Sequence, residues 1–428
     1  MRAWWSLIVL IIAYAVSFID RQILSLLVEP LKADLKISDT QVGLLQGMAF
    51  AVFYCALAIP VARLAERQGR IRIIVIGVAI WSAMTMACGL ARSFTMLFVS
   101  RLGVGLGEAA LSPSAQSLVT DYFPRERLGL AQSLYGVAIP IGGGLAIMLG
   151  GLIAQSVGTA GSITLPVVGA VRGWQAAFLL VGSASLLLVP LLATLKEPPR
   201  RSFGKAEVTG ETLGAFFRRR ALLIACYFGG LSVLTLMAYA NVAWFPSYFI
   251  RVHGLSRSEV GFGYGSVLAV AGTVGLVVGG LMSDWLVWRG LAIGHLVVAV
   301  GATLLAIIPG TLTPLASSAS ESFMLMVPLI FFGAMPTGAS ATMTQLIAPP
   351  HLRGMVVAVF LLVINVIGIG LGPLSVGLLN DRFFGDPMAI GHSMALVIGC
   401  STVLGALLLA LAMTPYARAL KELDAARA

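Results

Sequence analysis

Charge is scarce in this chain: Asp, Glu, Lys and Arg make up 11% of its 428 residues, against 58% hydrophobic ones, and mean hydropathy is +0.96. That balance excludes an ordinary soluble globular domain. Cysteine is nearly absent too. Cys55, Cys88, Cys226 and Cys400 all fall within apolar runs, without paired loop spacing, so neither a disulfide framework nor a zinc site is expected and they read as small core residues. The 4 histidines have no ligand companions at useful spacing, and no metal is expected. There is no Gly-x-x-x-x-Gly-Lys-Ser/Thr loop to bind ATP, and no nucleophile, base and acid constellation for hydrolysis. The chain does not read as an enzyme.

What the sequence has in abundance is apolar runs of about 20 residues, the length that crosses some 30 Å of hydrocarbon as a helix. Twelve are predicted: 4–28, 41–64, 71–90, 93–117, 127–153, 174–194, 221–250, 259–284, 291–310, 322–347, 352–380 and 389–413. The first is too long, and too poor in a small-residue cleavage site, for a removable signal peptide. Flanking bases set orientation. With the N-terminus cytoplasmic, nineteen of the 28 Lys and Arg lie inside, and only Lys32, Lys36, Arg92, Arg172, Arg251, Arg257 and Arg382 lie outside. The expected protein is all-α and multi-pass in the cell (inner) membrane, with both termini cytoplasmic. The net charge of +10 is then a topology signal, and its partner is anionic membrane lipid, with no nucleic acid implied.

The longest polar stretch, KEPPRRSFGKAEVTGETLGAFFRRR at 196–220, divides six helices from six. Three regions follow: an N-terminal six-helix bundle at 1–195, a cytoplasmic linker at 196–220, and a C-terminal six-helix bundle with a short tail at 221–428. An internal echo supports duplication. Ala62 and Glu66 stand four apart after the second helix, as Gly280 and Asp284 do after the eighth, and the fifth and eleventh helices are both glycine-rich. The small residue lets helices approach, and the acid can cap a neighbouring helix N-terminus.

The six-plus-six plan, LAERQGRIR and RGWQAAFLLVG resemble the major facilitator superfamily of secondary transporters. Within it, FIDRQIL, RLGVGLGEAALSP and DYFPRERLGLA resemble the Spinster-like family. The resemblance implies a major facilitator fold, alternating access, and transport of lysophospholipids or sphingolipid-derived signals. It also implies a cytoplasmic gate at Arg67, Gly69 and Arg70. This chain departs from the family pattern there, with Ala62 for its first Gly and Glu66 for its Asp.

An ionisable group at mid-membrane costs at least about 2.5–3.5 kcal/mol, so it is retained for a partner or a task. Asp20, Arg21, Arg101 and Glu108 are the four strong cases. Counting from helix ends puts Asp20 and Arg101 level, with Glu108 two turns from Arg101 on the same face. Burial pushes a carboxylate toward its neutral form and a nearby guanidinium pulls it back, so one arginine serving two acids in turn would make a proton-linked switch. The expectation is that protonation of Asp20 or Glu108 releases Arg101. The alternative is a neutral structural quartet tying helices one and four.

Gly103, Gly105 and Gly107 read as a close helix-packing face rather than a nucleotide loop, since no strand precedes them. Pro140 with Gly144, and Gly372 with Pro373, are candidate flexing points or static kinks. The second half holds no mid-membrane charge; its candidate cavity residues are Tyr239, Asn241, Tyr264, Thr337 and Asn365. A cavity charged in one half and apolar in the other suits an amphiphile. The reading is a secondary transporter, functional as a monomer, with the proton as coupling ion and no other cofactor, carrying a lysophospholipid or sphingolipid-like amphiphile. The alternatives are a proton-coupled antiporter of hydrophobic drugs or symporter of small organic anions and, in another class, an uncoupled lipid conduit or receptor.

Overall fold

The computed structural model describes residues 2–158, 162–165, 169–199, 212–349 and 351–425. Twelve helices in it are long and apolar enough to cross a membrane, and they are numbered here as spans 1 to 12: Ala3–Leu26, Asp39–Ala58, Arg70–Gly89, Phe94–Tyr122, Leu130–Val157, Gly173–Ala193, Ala221–His253, Arg257–Trp288, Gly294–Leu315, Ala319–Leu346, Arg353–Phe384 and Pro387–Glu422. Each apolar run read from the sequence falls on one of them. Helix is the dictated form, because a chain crossing hydrocarbon must satisfy its backbone N–H and C=O groups within itself. The surface answers to the same solvent: Leu187, Trp288 and Ile308 expose most of their side chains. Cys55, Cys88 and Cys226 are buried as expected, but Cys400 is exposed. A thiol that behaves as a small hydrophobe is as acceptable facing lipid as facing the core.

Several spans are interrupted. Span 2 breaks at Gly47 into Asp39–Gln46 and a helix Met48–Gln68 that runs on past the apolar span. Span 6 breaks at Leu187 into Gly173–Leu186 and Leu188–Ala193. Span 11 carries two wide π-helical turns, Val366–Leu371 and Asn380–Phe384. The first lies directly before Pro373, whose ring and missing N–H disturb the turn that precedes it. Spans 5 and 6 are joined through a hairpin of two three-residue strands, β1 (Ile163–Leu165) and β2 (Gly169–Val171), paired antiparallel with Ile163 opposite Val171.

Two compact units emerge from the packing. The first comprises Met1–Arg201, Val242–Val270 and Pro373–Ile390; the second comprises Ser202–Asn241, Ala271–Gly372 and Gly391–Ala428. In the first unit Trp81, Trp174 and Phe178 are buried, and span 4 lies flush on its neighbours through its glycines. A Cβ on Gly105 would stand 2.3 Å from the Phe50 carbonyl oxygen, and one on Gly107 2.6 Å from that of Gly77, so these glycines are the close-packing face expected of them. The second unit packs Tyr227, Phe360 and Tyr416 into an apolar cluster. The Tyr227 ring stacks on Phe360 at 5.9 Å, and its hydroxyl donates to the Ser340 carbonyl at 2.7 Å.

Candidate functional site

Asp20 and Arg21 are neighbours on span 1, so their side chains leave the helix about 100° apart. That angle decides their partners. Arg21 donates from Nε to Glu108 Oε2 at 2.5 Å, and its Nη2 lies 2.5 Å from the same oxygen. Its guanidinium sits over the rings of Phe50 at 4.5 Å, Tyr54 at 5.1 Å and Phe18 at 5.4 Å, an electrostatically favourable surround for a cation. Glu108 Oε1 is buried and accepts no hydrogen bond.

Asp20 points elsewhere. Its Oδ2 accepts from Ser185 Oγ of span 6 at 2.7 Å, and its Oδ1 is buried without a hydrogen-bond partner. Arg101 donates from Nη1 to the backbone oxygen of Asp20 at 3.2 Å, which agrees with the depth count, and its Nε reaches toward the Leu45 carbonyl at 3.5 Å, beside the break in span 2. All four groups lie in the first unit, and Asp20, Arg101 and Glu108 are almost wholly buried. The pairing differs from the expected one: among the described residues Arg101 makes no ion pair, and Arg21 is the arginine that holds Glu108. Helical spacing gave the depth of these groups. It did not give the rotation of span 1, which aims Arg21 at Glu108.

At the end of the helix Met48–Gln68, Gly69 adopts φ +95°, a conformation that favours glycine, and turns the chain into span 3. Arg70 follows it, buried. It is ion-paired with Asp121 and with Glu197 at 2.7 Å, and donates to the Ser117 hydroxyl at 2.9 Å. Ala62 is half-buried and Arg67 exposed, while the side chain of Glu66 lies outside the described residues. Asp284, in the second unit, is exposed and without an ion pair among the described residues.

The sequence model of the major facilitator superfamily matches residues 10–373. The chain belongs to that superfamily. An MFS-type efflux pump of Mycolicibacterium smegmatis is 28% identical over 98% of this chain and 95% of its own length. Protein spinster of Drosophila melanogaster is 23% identical, over 88% of this chain and 62% of that protein. Among solved structures, a bacterial homologue of the human lysosomal transporter Spinster, in an inward-facing and unoccupied conformation, is 28% identical with a TM-score of 0.79, covering 98% of this chain and 97% of that one. This is therefore a multi-pass membrane transporter of Spinster type that moves a small-molecule substrate, and it is not an enzyme.

The facilitator's remaining candidate residues fall in different settings. Tyr239, Asn241, Thr337 and Asn365 belong to the second unit, where Asn241 is buried with Oδ1 unpartnered and Thr337 is exposed, its hydroxyl bonded to the Ala334 carbonyl of its own helix. Tyr264 belongs to the first unit, fully buried beside Phe245 at 5.6 Å. Pro140 lies inside a continuous helix, Arg125–Gly158. A Cβ on Gly144 would stand 2.5 Å from the Gly265 carbonyl oxygen, and Gly372 meets the Leu236 carbonyl as closely, at 2.6 Å. Pro373 accepts from Trp244 Nε1 at 2.8 Å.

A second charged cluster of the transporter escaped the sequence reading. Buried Asp39, at the start of span 2, accepts from Arg251 Nη1 and Nη2, both at 2.8 Å, from Lys32 at 2.5 Å and from Asn380 Nδ2 at 2.8 Å. Arg251 also holds Glu29 at 2.5 Å. Asp381 accepts from the backbone N–H groups of Asp39 at 3.2 Å and Thr40 at 2.6 Å, the first turn of the helix Asp39–Gln46. Lys32 and Arg251 read from sequence only as topology charges at helix ends, and nothing local ties Arg251 to Asp39.

Proposed function

We propose that this transporter works by alternating access, that it is driven by protons exchanged at Asp20 and Glu108, and that it carries an amphiphile with a polar head and an acyl tail, of the lysophospholipid or sphingolipid-like class. The observation that carries the reading is the arrangement of charge on spans 1 and 4. One carboxyl, Asp20, keeps an oxygen without a hydrogen-bond partner, and one acid, Glu108, neutralises an arginine set against three aromatic rings. A proton on Glu108 weakens its hold on Arg21 and lets the guanidinium meet an anionic headgroup. A proton lost from Glu108 restores the pair and expels the head. In this reading Tyr239, Asn241, Tyr264, Thr337 and Asn365 are assigned as uncharged substrate contacts.

In the same reading Ala62, Glu66, Arg67, Gly69 and Arg70, with Asp284, gate the cytoplasmic end. Pro140, Gly144, Gly372 and Pro373 let their helices bend. Residues 1–195 and 221–428 act as six-helix halves joined by the linker 196–220, in the inner membrane, with both termini cytoplasmic and a monomer as the working unit. A second reading, proton-coupled export of hydrophobic drugs, is favoured by one observation, the name of the mycobacterial efflux pump that this chain resembles along nearly its whole length.

Flux of a fluorescent lysophospholipid in proteoliposomes, with and without an imposed pH gradient, tests the proposal. Gradient-driven flux is expected in the wild type and its loss in Asp20→Asn and Glu108→Gln. Lysolipid flux indifferent to gradient and variants would make the quartet structural and the protein a conduit. Absence of lysolipid flux together with gradient-driven efflux of a lipophilic dye would favour the drug reading.

A further inference from the structure

Spanning-helix hydroxyls in this protein mostly bond back to their own helix. Ser100, Ser183, Thr235, Ser283, Thr303 and Thr402 each donate to a carbonyl four residues earlier, which is how a hydroxyl is satisfied in an apolar medium. Ser185 does otherwise. Two residues beyond Ser183 on the same helix, it is fully buried and sends its Oγ across to Asp20 Oδ2 at 2.7 Å.

The fold places it there deliberately. Gly182, one turn earlier, presses span 6 onto span 3: a Cβ at that position would stand 2.8 Å from the Met86 nitrogen and 2.9 Å from the Ser82 carbonyl oxygen. The helix then ends at Leu186, just past Ser185. The other groups acting on the Asp20 carboxyl are Glu108 and Arg101 of span 4, with the Thr85 hydroxyl and Cys88 of span 3, and its chain neighbour Arg21 is committed to Glu108. Arg101 spends a guanidinium N–H on the Asp20 backbone oxygen. Thr85 of span 3 faces the same carboxyl, but its Oγ1, like Asp20 Oδ1, is buried without a full hydrogen bond, so among the described residues Ser185 makes the short side-chain bond to the carboxyl.

We propose that Ser185 is the positioning residue for Asp20: it fixes Oδ2 and so presents Oδ1 as the atom that takes and releases the proton. The inference rests on the proton-coupled reading above. The Ser185 bond survives either charge state, because the proton joins Oδ1 while Oδ2 goes on accepting. The carboxyl therefore need not rotate when it is loaded or emptied. The donor also favours the ionised form, which gains more from it than the neutral acid does.

The test is a pH titration by attenuated-total-reflection infrared spectroscopy on the full chain in lipid vesicles, which requires no transported substrate. The protonated-carboxyl band missing from Asp20→Asn identifies Asp20. In Ser185→Ala that band is expected at higher frequency and titrating roughly one to two pH units higher, the size of one hydrogen bond to a charged group. Ser185→Thr is expected to follow the wild type. Ser185→Cys, a weaker donor of similar shape, is expected to fall between the two and serves if the alanine variant does not fold. A band that titrates and absorbs identically in wild type, Ser185→Ala and Ser185→Cys would overturn the role of Ser185 alone. No titrating band lost in Asp20→Asn would overturn the proton role of Asp20, and with it the reading on which this inference rests.

Discussion

Arg21 delivers two of its donors to one oxygen of Glu108, a use of the guanidinium fork that lysine cannot reproduce. Arg21→Lys is expected to lower gradient-driven flux by at least about tenfold, measured at equal reconstituted protein. Glu108→Ala leaves Arg21 without its carboxylate in a nearly dry site and is expected to cost about 3–5 kcal/mol, read as a fall in the thermal unfolding midpoint. Glu108→Gln, which keeps an acceptor, should fall less. Gly105 of span 4 and Gly136 of span 5 offer a sterically clean pair of comparisons. Gly105→Ala collides with the Phe50 carbonyl and is expected to destabilise by about 1–3 kcal/mol, whereas Gly136→Ala meets nothing within 4 Å and should be close to neutral in the same melt. Equal melting of the two would mean that spans 2 and 4 do not lie this close.

At the scale of elements, the Asp39 cluster ties four chain segments of the first unit together: the helix Val28–Leu35 with Glu29 and Lys32, the helix Asp39–Gln46, the end of span 7 and the end of span 11. Charge and backbone act jointly, because Gly377 is tight against Asp39 (a Cβ there would sit 2.3 Å from its carbonyl oxygen) while Asp381 caps the helix. Removing Arg251 strips Asp39 of both guanidinium bonds at once. Arg251→Gln is expected to raise amide hydrogen exchange in residues 39–47 and 373–384 together, without change in 221–235 or 400–420. Exchange that rises everywhere would indicate general unfolding, and unchanged exchange would mean the cluster holds nothing. Asp381→Asn, which keeps one acceptor oxygen but replaces the other by an N–H donor and loses the charge facing the helix N-terminus, is expected to give a smaller effect confined to 39–42.

For the whole molecule, the proposed orientation has a direct check: a green fluorescent protein fused to the C-terminus is expected to fluoresce in cells, and an alkaline phosphatase fused there to be inactive. The reverse pattern would invert the assignment of every loop. The twelve spans were legible because hydrocarbon thickness demands a length and a composition that few other structures share. The four buried charges were legible for the related reason that charge in such runs is costly. Their pairing was not, since the rotation of span 1 depends on packing against its neighbours, span 5 above all, and adjacent residues such as Asp20 and Arg21 part company on that rotation alone. Ser185 was hidden among many serines that differ from it only in where the hydroxyl points. Arg251 and Asp39 stand 212 residues apart, and no periodicity links them. The β1–β2 hairpin was missed because a short stretch rich in Ile, Thr and Val between two apolar helices gives no membrane-length signal.

Span 11 is, in effect, a helix that has absorbed an insertion twice. Each wide turn takes in one residue more than an α-turn and so resets the phase of everything beyond it by about 100°. The first, Val366–Leu371, stands between Asn365 and the pair Asn380 and Asp381 that reaches the helix at Asp39. Deleting a single residue such as Ile367 would let the span rewind as an ordinary helix and would swing that pair away from Asp39. In span 11 the reading frame of a helix face can therefore change at one codon without the loss of any functional side chain.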